Sequence, residues 1–120
     1  MEDCPFCNPC KDPGQNIVFE NEFCYFLQHS NHQEVLEGAG VIVPKAHRKD
    51  VFELSKEEWE ATHDLLQKLK GYIEETFNPD GFTLGWNVGE ASNQFIFHAH
   101  FHIISRYNDE PMPDVAYVTG

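Results

Sequence analysis

Three histidines alternate in the segment Phe97-His98-Ala99-His100-Phe101-His102-Ile103-Ile104, the most informative stretch of the chain. Side chains of a strand alternate faces, so His98, His100 and His102 are expected on one side, with Phe97, Ala99, Phe101 and Ile103 packing on the other. Same-face neighbours then stand roughly 6 to 7 Å apart. Imidazoles that lose hydration as a sheet buries them must be used or hydrogen-bonded. Near neutral pH they suit two tasks, nucleophilic attack on phosphorus and metal ligation.

A second cluster opens the chain, the knuckle Cys4-Pro5-Phe6-Cys7. Clustered thiols in a cytosolic protein bind metal or do redox work more often than they form disulfides. A redox pair usually starts a helix that follows a strand, and the residues ahead of Cys4 supply no strand. Structural zinc takes four Cys or His ligands. Cys10 continues the Cys-x-x-Cys spacing and is an alternative ligand. Cys24, within an apolar run, reads as a small buried residue. His29, His32 and His63 read as loop or surface residues. The triad by itself fits known metal patterns poorly, because residues 98 to 102 contain no Asp and Arg106-Tyr107 stand where a cupin-like site would want Glu.

These residues need a scaffold, and 120 residues make one domain. Residues 1–15 read as an irregular loop. Ile17 to Glu20 and Cys24 to Leu27 form a hairpin about Asn21-Glu22. Residues 28–39 read as a loop, and Gly40 to Val43 as a strand that Pro44 ends. Ser55-Lys56-Glu57-Glu58 is a capping box. Behind it Trp59, Thr62, Leu65, Leu66, Leu69, Tyr72 and Ile73 recur at helical spacing, until Asn78-Pro79-Asp80-Gly81 stops the helix. Phe82 to Asn87 is a strand, Gly89 to Asn93 a loop, and Gln94 to Ile104 a long strand. Residues 108–120 read as a tail. The sum is an α+β domain, an antiparallel sheet with one long helix and a short one.

Charge narrows the partners. Eight Lys and Arg against twenty Asp and Glu give a net charge of −12. That argues against a nucleic-acid polymer, which is held by neutralising phosphates, and against an anionic membrane. One pocket for a small phosphorylated ligand needs only local donors. No run reaches the roughly 18 apolar residues of a membrane helix, and MEDCPFC has no secretion-signal character, so a cytoplasmic location is expected.

The sequence resembles the histidine-triad family. The resemblance rests on His98-Ala99-His100-Phe101-His102-Ile103-Ile104, Asn87-Val88-Gly89, Gln94, and Val41-Ile42-Val43-Pro44-Lys45-Ala46-His47. It spans roughly residues 4 to 107 and implies a five-stranded antiparallel sheet. It implies a nucleotide hydrolase or transferase in which His100 attacks the α-phosphorus and water opens the nucleotidyl-imidazole. His102 would donate to the phosphate or leaving group, with Asn87 and Gln94 lining the pocket. Phe19, Phe26 and Leu27 would form a wall for the base, or plain core. Zinc-bearing relatives imply the ligands Cys4, Cys7, His47 and His98. A homodimer is implied, with the long helix and an adjoining strand paired across a two-fold. The family's further histidine falls at Ala39, and Leu27-Gln28-His29 stands where a ribose-binding carboxylate is usual. A non-catalytic nucleotide-binding module of the same fold is the alternative, and a metal enzyme built on the triad is a third.

Overall fold

The computed structural model describes residues 4–30 and 37–109. His32, most of the expected tail and the first three residues lie outside them. Five strands, β1 (Gln15–Glu20), β2 (Cys24–His29), β3 (Gly40–Pro44), β4 (Gly81–Trp86) and β5 (Phe101–Arg106), form one sheet. Its order is β1-β2-β3-β5-β4, and every neighbouring pair is antiparallel. One long helix, α1 (Lys56–Phe77), crosses it. The described residues also hold single 3₁₀ turns at Pro9–Lys11, Val51–Glu53 and Glu90–Ser92, and Ser30, directly after β2, is helical.

The capping box forms as expected. Ser55 Oγ accepts the Glu58 N–H at 3.1 Å and Glu58 Oε1 accepts the Ser55 N–H at 2.7 Å. Asn78 closes the helix in the left-handed conformation, φ 49°. Ala61, Leu65, Leu69 and Ile73 pack on Cys24, Phe26, Ile42 and Ile103 of the sheet. Trp59, expected on this buried face, is 49% exposed and meets Trp86 edge-on.

The N-terminal end of α1 is tied to the segment that carries the histidines. Glu58 is buried, and Arg48 Nε donates to both its carboxylate oxygens at 3.0 and 3.1 Å. Burial alone would raise the Glu58 carboxyl, but the Ser55 amide and Arg48 hold it below the usual range. The Arg48 carbonyl in turn accepts the Ala99 N–H at 2.7 Å. Helix cap, loop and histidine segment thus form one hydrogen-bonded frame.

The sheet's other face carries Leu27 and Val43 under Phe6. Phe101 and Ile103 pack toward the helix, so alternation puts His102 on this opposite face. Gly40 is required here: a Cβ would lie 2.4 Å from the Leu27 carbonyl oxygen. Among the described residues no helix is long and apolar enough to cross a membrane.

The expected long strand from Gln94 is shorter than the sequence pattern indicated, since β5 begins only at Phe101. The ladder pairs Ile42 with Phe101, so extending it would set Pro44 opposite Ala99, and proline has no N–H to give. Residues 94–100 take other partners instead, the Arg48 carbonyl among them. Phe97, expected to pack, is partly exposed.

Candidate active site and metal centre

The break in the strand separates the three imidazoles into two sites. His98 is fully buried, and its Nε2 lies 2.7 Å from the Pro44 carbonyl. A carbonyl only accepts, so Nε2 carries the proton and the Nδ1 lone pair is left for another partner. That Nδ1 stands 3.3 Å from Cys4 Sγ and 3.4 Å from Cys7 Sγ, while His47 Nδ1 is 3.2 Å from Cys7 Sγ. The four ligand atoms of Cys4, Cys7, His47 and His98 all lie within 4.8 Å of one another, a group that could hold a metal ion. Burial pushes the His98 imidazole down to about 4, against the pull of the Pro44 carbonyl and with the help of His47. The ring is therefore neutral, the form that ligates. Burial, reinforced by Cys4, pushes the Cys7 thiol up to about 11. The Pro44 carbonyl stands where an outer partner would orient the ring for ligation.

His100 has the opposite tautomer. Its Nδ1 lies 2.8 Å from the His98 carbonyl, so Nδ1 carries the proton and Nε2 the lone pair. The ring is buried against Phe6, centroids 5.0 Å apart, and against His102 at 4.7 Å. His98 thus faces the cluster with its side chain and fixes the His100 tautomer with its main chain.

A family model described as the HIT domain matches residues 12–109. The chain belongs to the HIT family. It is 34% identical over 90 residues to the bis(5'-adenosyl)-triphosphatase of Dictyostelium discoideum, covering 75% of this chain and 59% of that one. With the adenosine 5'-monophosphoramidase hnt1 of Schizosaccharomyces pombe it shares 32% over 74 residues, 62% of this chain and 53% of the relative. The crystal structure of a HIT family protein from Bacillus anthracis superimposes with a TM-score of 0.81 at 29% identity, covering 99% of this chain and 80% of that one. The chain spans between half and two thirds of the length of the two named relatives.

Other residues expected at the HIT site are placed unequally. Gln94 is 1% exposed, and its Nε2 donates to the Lys49 and Ile96 carbonyls at 2.8 and 3.0 Å while its Oε1 accepts the Gly89 N–H at 2.9 Å. Both amide hydrogens are engaged within the protein, so Gln94 locks the loop. Asn87 gives Nδ2 to the Ser92 carbonyl across the same loop. It follows Trp86, whose partner is Phe101, and so stands beside His100 at the sheet edge.

Phe19 packs with Tyr72 on the helix side, away from the imidazoles. Phe26 is core on that side too. Leu27 shares the imidazole face, but it is buried beneath Phe6 and Val43. The expected wall for a base is therefore not assembled from these three. Cys10 is exposed and outside the cluster, and Cys24 is buried as expected. His63 is exposed, but His29 is half-buried at the end of β2, bonded to Asp12 at 2.9 Å. Ala39 is buried against Ile104 and Tyr107. Sequence reasoning passed over Phe6 and the Arg48–Glu58 pair. The only available signals were an aromatic between two cysteines and an Arg next to His47.

Proposed function

We propose that this HIT protein is a nucleotide hydrolase or transferase that acts at the α-phosphorus through a covalent nucleotidyl-His100. The observation that carries this reading is the 2.8 Å contact from His100 Nδ1 to the His98 carbonyl. In the neutral ring it leaves the nucleophilic lone pair on Nε2 without requiring a separate base.

His100 Nε2 forms a bond to phosphorus as the bond to the leaving group breaks. His102, with its ring beside that of His100, gives a proton to the departing atom. Water then opens the phosphorus–nitrogen bond, its proton returns to His102, and a nucleoside monophosphate leaves. Two easier displacements replace one difficult one. Asn87 is the remaining amide proposed to contact the ligand. The names of the Dictyostelium and fission-yeast relatives support phosphoric anhydride and phosphoramidate leaving groups as candidates.

Zinc is the proposed ion. With Zn–S about 2.3 Å and Zn–N about 2.0 Å, tetrahedral S and N ligands stand roughly 3.5 Å apart, close to the 3.2–3.4 Å between thiols and imidazoles here. Bound zinc would supply a cross-link between the knuckle, the His47 loop and the histidine segment. No step of the reaction passes through it.

Incubation with an adenosine phosphoramidate and with diadenosine triphosphate tests the reading. We expect AMP to be released from at least one, with turnover persisting when free divalent ions are chelated briefly. Tight AMP binding with no release from either would favour the non-catalytic module, which Ala39 in place of a histidine keeps as the second reading.

The homodimer is proposed to form at β4. This is an outer strand of the sheet, and Leu84, Trp59 and Trp86 leave apolar surface along it. Sedimentation equilibrium should give twice the chain mass, and a monomer at tens of micromolar would reject the dimer.

A further inference from the structure

Phe6 sits between the two knuckle cysteines and is 6% exposed. Its ring meets the His98 imidazole edge-on, centroids 5.9 Å apart, and the His100 imidazole at 5.0 Å with the planes tilted by 54°. One apolar side chain therefore touches both a candidate metal ligand and the candidate nucleophile. A ring free to turn about its side-chain torsions would exchange the Nδ1 bond to the His98 carbonyl for other arrangements. Phe6 closes off that rotation from one side. Beneath Phe6 lie Leu27 and Val43, both buried in the sheet, so the ring has a rigid floor.

We propose that Phe6 is a positioning residue for His100: carried on the Cys4–Cys7 knuckle, its ring keeps the imidazole in the orientation that places Nδ1–H on the His98 carbonyl and aims Nε2 at the substrate. This rests on the reading of His100 as nucleophile. It gives the cluster a function beyond holding the chain, since seating the knuckle also seats the ring that braces the nucleophile.

The test compares zinc-loaded wild type, Phe6→Leu and Phe6→Ala, each confirmed to hold one zinc per chain. For Phe6→Ala we expect kcat to fall by roughly 10- to 100-fold with KM changed by no more than about twofold, since small misplacements of a reacting group cost rate more than binding. Phe6→Leu, which keeps apolar bulk, should fall between. Nitrogen-15 spectra at pH 8 should show a single Nδ1–H tautomer for His100 in wild type and a mixture in Phe6→Ala. Unchanged kcat and an unchanged tautomer in zinc-loaded Phe6→Ala would overturn the proposal. If Phe6→Ala loses zinc or unfolds, Phe6→Leu decides by the same two readouts. A wild-type protein inactive on every nucleotide tried would end the nucleophile reading, while the tautomer comparison would still decide whether Phe6 positions the ring.

Discussion

His100→Gly should lower kcat for an adenosine phosphoramidate by roughly 10⁴-fold or more, the loss typical when a covalent nucleophile is removed. The size of the effect follows from the tautomers. His98 directs its lone pair at the thiols, with its proton on the Pro44 carbonyl. It cannot replace His100 without leaving the cluster. His102 lies one strand repeat on, with its ring already packed against His100, and the in-line geometry for one imidazole is not the geometry for the other. Substrate binding should survive, so KM should move far less than kcat. His102→Asn is expected to lose less, about 10²- to 10⁴-fold, the usual range for a proton donor. Steady-state kinetics on folded, zinc-loaded variants check both values. A His100→Gly enzyme retaining a tenth of wild-type kcat would be incompatible with covalent catalysis at this residue.

The second large effect is on stability. Removing the ion with a strong chelator, or replacing Cys7 by Ser, should lower the melting temperature by about 10 to 20 °C. An ion present at 1,000 times its dissociation constant contributes about 4 kcal/mol to the folded state, and each kcal/mol moves the midpoint of a domain this size by roughly 3 to 5 °C. The loss should be partial. The helix-side core of Phe26, Ile42, Leu65, Leu69, Ile73 and Ile103 contains none of the four ligands, so far-ultraviolet circular dichroism should keep its helical signal at 25 °C. What is lost is the tether between the knuckle and the histidine segment. Turnover should decline in step, although no reacting group has been taken away. Calorimetry with and without chelator measures this, and an unchanged midpoint would mean that the cluster holds no ion of structural weight.

How much of this was legible depended on the range of the interactions. The helix was readable because its signals are local: Ser55 and Glu58 cap it within one turn, and the i, i+3, i+4 repeat runs to Ile73. The ligand set was legible through likeness to a family, and the four side chains do converge. The strand carrying the histidines was misread at its start. Alternation in Gln94 to Ile104 looks continuous in sequence, yet whether a strand continues depends on its neighbour, and Pro44 on β3 ends the ladder there. The loop-locking bonds of Gln94 to Lys49, Ile96 and Gly89 are not legible in sequence, because an amide's partners are invisible until those segments are placed beside it. Trp59 fits the apolar period of the helix but lies at its outer turn, facing Trp86 rather than the core. Phe6 carried no periodic signal, and its importance comes from a contact about ninety residues away in sequence.

The proposed mechanism stands on a covalent bond between His100 Nε2 and phosphorus. Mixing the zinc-loaded protein with an adenosine phosphoramidate, quenching in base after milliseconds, and mapping the digest by mass spectrometry tests it directly. An adenylyl group is expected on the peptide containing residues 98–102, localised to His100 and absent from His100→Gly. AMP released at full rate with that peptide unmodified at every quench time, or an adduct on His102 instead, would contradict it.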